Sequence, residues 1–386
     1  MAAIALSQSS ALQSDEAYHY AQIHLFLRGE FRTLHQYLTT IPGYHVAVAL
    51  LLKTAAVDSL AAARMVNAMF GLLAVAGFFQ LRRLAWPGTQ TLATAQLLVL
   101  PILAPLFFLV YTDVLALALL LWALVATLRG HHGWSALALL ALIPVRQNEV
   151  VWAGYAAALA AWPLLRERPA GWFIACLRSY WPSAIPVAAF CAFWAWNGTI
   201  SLSPEQAQLH PLTFRVGNPC FALLAVGVLL PLHTLAGARD FAARLRSQPW
   251  LLALPLAVAA AFWWGFQADN PYNLVMPDVY PRNALLARLV HDPLWRAGAS
   301  LIAALAAASL AATQLRPQGA ATLFGFALIA LGAAWLIDQR YTMVVLVLWL
   351  AVRQSRGRVL EWMTFALWLV CAVYVTSAIL HGRASP

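Results

Sequence analysis

The sequence predicts an all-α polytopic membrane protein, and two observations carry this prediction. Of its 386 residues, 62% are hydrophobic and only 10% are charged, with a mean hydropathy of +0.72. Apolar runs of roughly 15–22 residues recur along nearly the whole chain, and a short polar patch follows each of them. The hydrocarbon core offers no hydrogen-bond partner to a backbone, so runs that cross it must be helices. We therefore expect one integral membrane domain over residues 1–386.

Twelve apolar runs predict a bundle of about 12 transmembrane helices over residues 61–380. Several of them are short for a hydrocarbon core about 30 Å thick. A further run, 43–57, is short and contains Lys53, so we expect it to lie along the interface. The 17 Trp and 11 Tyr suit the membrane–water boundary. The expected spans are 61–80, 90–110, 114–128, 135–147, 149–165, 182–196, 218–236, 250–267, 295–314, 320–337, 341–353 and 359–380.

The distribution of positive charge predicts which loops share a side of the membrane. Cytoplasmic loops carry an excess of Lys and Arg, so we place the loop around Arg82 and Arg83 in the cytoplasm. If successive loops alternate between the two sides, the cytoplasmic side has 13 Arg and three acidic residues, and the net charge of the other side is zero. The whole formal excess of +10 therefore lies on one side, which removes the need for a nucleic-acid partner. Residues 14–60 then form an extracytoplasmic first loop, in which 43–57 does not cross.

Polar clusters that are far apart in sequence share the extracytoplasmic face in this topology. Ionisable residues at a membrane boundary are functional candidates by default. Their concentration on one face predicts an active site or the mouth of a pathway there. Besides the first loop, the clusters are Asp113, the segment 146–149, the loops 197–217 and 268–294, and the segment 338–341.

Asp15 and Glu16 are the candidate catalytic residues, because a carboxylate is the usual general base for a sugar hydroxyl. A simpler interpretation is that Ser14 caps a helix whose first turn carries acids. In such a helix the two acidic side chains point about 100° apart. One could then face a substrate while the other holds a neighbouring residue. His19 lies within reach of either carboxylate.

Six further residues are candidates for substrate binding, and most of them also have an ordinary explanation. Asp113 could cap the helix 114–128, and Arg146 could extend to the membrane surface from the boundary. Arg340 has the side chain that phosphate oxygens prefer, although a single boundary Arg is common. His210 is a lone loop histidine. The six are Asp113, Arg146, Gln147, His210, Arg340 and Tyr341.

The sequence predicts neither a metal site nor a bound cofactor. It has no glycine-rich phosphate loop and no DxD-type metal motif. Its four cysteines mostly lie within or beside apolar runs and lack metal-ligand spacing, so no disulfide framework is implied. The pair His131-His132 is only a polar turn.

The ordered motifs of the chain resemble the Alg10/DIE2 family, the dolichyl-phosphate-glucose α-1,2-glucosyltransferases of the GT-C fold. The resemblance spans about residues 15 to 345, and it depends on the set of motifs in order, since no single one is decisive. The family pattern RQTN is RQNE here. The motifs are DEAYHYAQIHLFLRGEF, LTTIPGYH, RMVNAMF, VYTDV, RQNEVVW, NGTISL with HPLTF, and DQRYTMV.

This resemblance implies a GT-C-type glycosyltransferase fold, with interfacial helices on the outer first loop. It also implies transfer of a sugar, with glucose expected, from a polyprenyl-phosphate donor to a glycan or lipid-linked acceptor. The chain looks like a bacterial relative, so we expect the inner membrane and an active site that faces the periplasm. The family has a transmembrane helix before the DE motif, whereas 14 residues precede Asp15 here. We therefore expect that helix to be missing or the start to be misassigned.

The expected mechanism is a single inverting displacement. Asp15, or otherwise Glu16, would take the acceptor proton, as the first-loop acid of GT-C enzymes acts near the acceptor hydroxyl. Arg340, Arg146 and His210 would stabilise the leaving phosphate. Asp113 would orient the acceptor or His19.

Two alternatives remain open from the sequence. A transporter or lipid-linked sugar flippase would also combine many helices with buried charges. Such proteins often contain internal repeats and polar residues near the midplane, whereas the acids here cluster at one face. A structural subunit of an envelope glycan complex that has lost activity is the second alternative, and the absent first helix supports it.

Overall fold

The structure is a computed structural model that describes residue 9 and residues 11–211, 213–277 and 280–384. Within these ranges the regular structure is helical, apart from one isolated bridge between Leu315 and Arg353. The prediction of an all-α protein is confirmed.

Nineteen α-helices follow one another along the described residues, with short 3-10 turns between some of them. The first ten are α1 Glu16–Leu27, α2 Gly43–Thr54, α3 Leu60–Ala85, α4 Gln90–Leu98, α5 Thr112–Leu128, α6 His132–Leu142, α7 Val151–Glu167, α8 Trp172–Tyr180, α9 Ala184–Asn197 and α10 Pro204–Leu209. The other nine are α11 Gly217–Leu229, α12 Pro231–Leu245, α13 Ala253–Gly265, α14 Pro271–Leu274, α15 Pro281–His291, α16 Pro293–Ala312, α17 Leu323–Gly332, α18 Gln339–Val352 and α19 Arg358–Leu380.

Three described helices, α3, α16 and α19, are long and apolar enough to cross a membrane. The pair α11 and α12 would add a fourth span, although it bends by 104° at their junction. Pro231 begins α12, and a helix usually ends just before a proline, which accounts for the break. The other apolar helices are shorter, so the predicted count of twelve spans is not confirmed.

The expected span 90–110 does not form one helix. Helix α4 ends at Leu98, and a separate 3-10 turn covers Ala104–Phe108. Pro101 and Pro105 lie in this stretch, and proline removes a helical hydrogen bond and clashes with the preceding turn. Apolar composition alone predicted the span, and the two prolines divide it.

Small residues allow the central helices to approach closely. A Cβ atom on Gly237 of α12 would lie 2.0 Å from the Ser309 hydroxyl of α16, which leaves no room for a side chain. Small residues at such contacts let helix backbones pack tightly where lipid supplies no hydrophobic driving force. Gly77 similarly brings α3 against Leu121 of α5, at 3.1 Å from its would-be Cβ.

Charged residues predicted to face the cytoplasm gather at one end of the bundle. The Arg82 guanidinium donates to the Leu350 carbonyl at the end of α18, at 3.1 Å. Arg353 forms a buried ion pair with Glu361 at the start of α19, with 2.6 Å between Nη2 and Oε2. The structure thus brings together residues that the charge rule assigned to one side.

Candidate active site

A cavity of about 490 Å³ collects most of the sequence-predicted site residues. It is bordered by the start of α1, the segment that follows α1, the turn before α7, α10, α14 and the start of α18. Of the nine candidates, Glu16 and Asp113 do not line it. The seven that do are Asp15, His19, Arg146, Gln147, His210, Arg340 and Tyr341.

A chain of ion pairs crosses this cavity. The Asp15 carboxylate lies 3.0 Å from Nη1 of Arg340, and Nη2 of Arg340 lies 3.0 Å from Oδ2 of Asp338. Arg282 contacts the same Asp338 oxygen at 2.8 Å. Asp338 also caps α18, because its Oδ1 accepts a hydrogen bond from the Arg340 backbone N–H at 2.8 Å. Asp338 therefore fixes two cations in place.

The two carboxylates of this chain differ in access. The side chain of Asp338 is only 2% exposed, whereas that of Asp15 is 40% exposed. Burial alone would raise the pKa of Asp338, but the charges of Arg340 and Arg282 lower it below its usual value. Asp338 is thus a fixed anion, and Asp15 is the carboxylate that a substrate can reach.

Glu16 points away from the cavity into the protein. Its carboxylate accepts hydrogen bonds from Nε of Arg64 at 2.8 Å and from Nη2 at 2.5 Å. The backbone N–H groups of Gln13 and Val110 donate to it as well, at 3.0 and 2.9 Å. Both Glu16 and Arg64 are fully buried. One adjacent acid therefore faces the cavity while the other holds α1 against α3.

His19 pairs with a second histidine instead of with either acid. Its Nδ1 lies 2.9 Å from Nε2 of His45, so one of these nitrogens donates to the other. Burial, followed by the charges of Arg340 and Arg146, lowers the pKa of His19 to about 3. Burial likewise lowers the pKa of His45. The pair is therefore neutral near pH 7, which favours a role in orienting groups.

Arg146 is held by acids that lie behind the cavity wall. It donates a hydrogen bond to Asp113, and its Nε lies 3.4 Å from Oε1 of Glu149. Trp152 donates its indole N–H to the other Glu149 oxygen. Asp113 thus positions Arg146. Arg146 lines the cavity, whereas Asp113 and Glu149 do not.

Gln147 joins three segments of the cavity wall through its side-chain amide. Its Nε2 donates to the carbonyls of Thr39 and Ile200, both at 2.9 Å. Its Oε1 accepts from the Ile41 backbone N–H at 3.2 Å. These three bonds indicate that Gln147 shapes the cavity.

His210 lines the cavity together with residues of the ion-pair chain. Burial and the charge of Arg340 lower its pKa, against the opposing effect of Asp15 and Asp338. A neutral imidazole can still donate one N–H to a phosphate oxygen, but it adds no positive charge near pH 7. Its expected contribution to charge stabilisation is therefore smaller than that of an Arg.

Several cavity residues were not singled out from the sequence. Arg282 begins α15, and four tyrosines, Tyr18, Tyr37, Tyr272 and Tyr280, also line the space. Arg282, Tyr272 and Tyr280 belong to the loop 268–294. The polar, extracytoplasmic character of this loop is the sequence feature that points to them. Within the described ranges, no three His, Cys, Asp or Glu side chains are grouped so that they could hold a metal ion.

The N-terminal part of the chain, which supplies the Asp15, His19 and Arg146 side chains, matches a known family. Residues 10–172 match the DIE2/ALG10 family. The resemblance predicted from the motifs is confirmed over this range, and it supports a membrane glycosyltransferase. The DIE2/ALG10 match includes Asp15, Glu16 and the RQNE segment, whereas His210, Arg282 and Arg340 lie beyond it.

Other comparisons add little sequence similarity. No curated protein matches the chain. Among solved structures, the crystal structure of ArnT from Cupriavidus metallidurans in the apo state aligns with a TM-score of 0.47 and 14% identity. That alignment covers 99% of this chain and 75% of ArnT.

Proposed function

We propose that this protein is a GT-C-type membrane glycosyltransferase that uses a polyprenyl-phosphate sugar as donor, with glucose as the expected sugar. The acceptor would be a glycan or a lipid-linked sugar on the extracytoplasmic face. The observation that carries this proposal is the accessible Asp15 carboxylate beside the Arg340 guanidinium in one cavity. Sugar transfer from a lipid phosphate needs these two groups: an acceptor for a hydroxyl proton and a cation for the departing phosphate.

The proposed reaction is a single displacement with inversion. Asp15 accepts the proton of the acceptor hydroxyl as that oxygen attacks the anomeric carbon of the donor. The bond between the anomeric carbon and the phosphate oxygen breaks, and the polyprenyl phosphate leaves with the electron pair. The new glycosidic bond replaces the one that breaks, and the proton rests on Asp15 until solvent takes it.

The leaving phosphate would bind the cationic side of the cavity. Arg146, Arg282 and Arg340 all line the cavity, and a guanidinium can donate two parallel hydrogen bonds to phosphate oxygens. Asp113 and Asp338 hold Arg146 and Arg340 in place before any substrate arrives. Such fixed charges stabilise a developing negative charge without reorganisation during the reaction.

The test of this proposal is sugar transfer by the purified full chain in lipid nanodiscs. The donor is radiolabelled polyprenyl-phosphate-glucose, and the acceptor is a crude lipid-linked and envelope glycan extract. We expect label to pass from the donor to the extract with wild type and not with empty nanodiscs. Intact donor after incubation with folded wild type would contradict the glucose donor. In that case polyprenyl-phosphate-mannose extends the test to the glycosyltransferase class, and intact mannose donor as well would contradict that class.

A further inference from the structure

Four tyrosines line the same cavity: Tyr18, Tyr37, Tyr272 and Tyr280. The ring centroids of Tyr18 and Tyr37 are 5.0 Å apart, with the planes tilted by 47°. Tyr18, Tyr37 and Tyr272 are 38%, 45% and 36% exposed, so their rings are open to the cavity space. We call this set the tyrosine cluster.

The members of the tyrosine cluster come from separate segments that converge. Tyr18 belongs to α1, Tyr37 to the segment after it, and Tyr272 to α14. Burial first raises the pKa of Tyr18, and nearby Asp15 and the other three tyrosines raise it further. The cluster thus brings rings from separate segments to one cavity, which Asp15 also lines.

Neutral hydrogen-bonding groups accompany the cluster. The Tyr272 hydroxyl donates to Oε1 of Gln206 at 3.3 Å, which orients its ring. The Thr40 hydroxyl lines the same cavity, and its buried oxygen has no hydrogen-bond partner among the described residues. A buried polar group of this kind calls for a partner, and a ligand hydroxyl can supply one.

These features match the chemistry of a pyranose ring. One face of such a ring presents C–H groups that pack on an aromatic face, while its hydroxyls need neutral donors and acceptors. Tyrosine offers an apolar ring with a polar tip and loses little conformational entropy on binding. A phosphate would instead prefer the cations at Arg146, Arg282 and Arg340. The cavity therefore has one region suited to phosphate and another suited to sugar.

Asp15 lies at the boundary between these two regions. Its carboxylate contacts Arg340 on one side. Tyr18 follows Asp15 by three residues at the start of α1, and residues with this spacing share a face of a helix. A sugar that stacks on Tyr18 would thus present its hydroxyls to Asp15, while the donor phosphate would lie on the Arg340 side.

We propose that the tyrosine cluster binds a pyranose ring of the acceptor, and that this ring packs on Tyr18 and Tyr37. That the bound sugar is the acceptor rests on the proposed function, whereas the binding of a sugar ring by these tyrosines does not. The competing explanation is that the tyrosines are boundary residues of the kind that anchor membrane proteins. Anchoring tyrosines would not bind a free sugar.

The first test measures sugar binding without any reaction. Saturation-transfer NMR with maltose and methyl α-D-glucopyranoside is applied to the full chain in lipid nanodiscs, because glycoside detergents would compete. We expect saturation of the ring protons by wild type and by Tyr18→Phe, which keeps the aromatic face. We expect a loss of about tenfold or more in the double variant Tyr18→Ala with Tyr37→Ala, about the effect of removing one stacking contact. Tyr374→Ala, an exposed tyrosine of α19, is the matched control and should bind as wild type does.

Two results would overturn the assignment. One is the absence of any sugar signal with folded wild type, and the other is an unchanged signal in the double alanine variant. The donor reaction is read separately, as transfer of label from polyprenyl-phosphate-glucose to the crude glycan extract. Sugar binding without donor turnover would contradict the proposed function and leave the sugar site standing. Donor turnover with unaltered sugar binding in the double variant would remove the sugar site and leave the function standing.

Discussion

The Asp15 carboxylate and the Arg340 guanidinium, which lie far apart in sequence, meet at 3.0 Å in the cavity. The Asp15 atom in this contact is Oδ2, so the pair occupies one oxygen of the carboxylate. A donor phosphate that binds Arg340 would compete with Asp15 for the same N–H donor. Donor binding would therefore release Asp15 to accept the proton of the acceptor hydroxyl.

Arg340→Gln should reduce sugar transfer by about 10²–10³-fold, the usual effect of removing one donor to a developing anion. Arg340→Lys should recover part of the activity, since it keeps the charge but loses the bidentate geometry. The measurement is the initial rate of label transfer in nanodiscs. Arg358→Gln, at the opposite end of the bundle, is the control, and an equal effect of both Gln variants would refute a role for Arg340 in the site.

Glu16→Gln should lower the stability of the folded protein, with no direct effect on the reaction. The substitution removes the charge opposite Arg64 in a fully buried pair, and breaking such a pair typically costs about 3–5 kcal/mol. We expect a clearly lower melting temperature in nanodiscs, measured by intrinsic Trp fluorescence. The fraction that remains folded should still transfer sugar. A variant with the wild-type melting temperature and no activity would instead make Glu16 the base.

His19 should make the folded protein less stable in acid. Its pKa is lowered to about 3 by burial and by the neighbouring arginines, whereas an unfolded histidine titrates near 6.5. Between these values the unfolded chain binds a proton that the folded chain does not, so stability falls as the pH is lowered. The melting temperature should therefore drop less between about pH 7 and pH 4 in His19→Gln than in wild type. If the melting temperatures of the two proteins fell equally between about pH 7 and pH 4, His19 would take up its proton in the folded protein as it does in the unfolded chain, which would contradict this prediction.

Much of the site could be predicted because polar residues are conspicuous in an apolar chain. Asp15, Arg146 and Arg340 were found by their position at one predicted membrane face, and they meet in the cavity. The angle between adjacent helical side chains also allowed Asp15 and Glu16 to have different roles, one towards a substrate and one towards a neighbouring residue. Glu16 is the acid that holds a neighbour, because it pairs with Arg64. The packing of α3 on α1 places Arg64 there, and the sequence alone does not show this packing.

The rest depends on tertiary contacts that leave no local pattern. Tyr18, Tyr37 and Tyr272 are ordinary boundary residues in the sequence, and only the convergence of three segments makes them a cluster. His19 was expected to reach a carboxylate by helical spacing, but His45 from the next helix is its partner. Hydropathy likewise overlooked the broken helix at 90–110, because it averages over the prolines that end α4.

The role of Asp15 as the base is tested by comparing Asp15→Asn with Asp58→Asn in the transfer assay. Both residues are exposed acids of the first loop, but only Asp15 lies in the cavity. Removing a general base typically costs about 10²–10⁴-fold in rate. We expect such a loss in Asp15→Asn, with wild-type folding and donor binding, and full transfer in Asp58→Asn. Full transfer by a folded Asp15→Asn variant would contradict the assignment of Asp15 as the base.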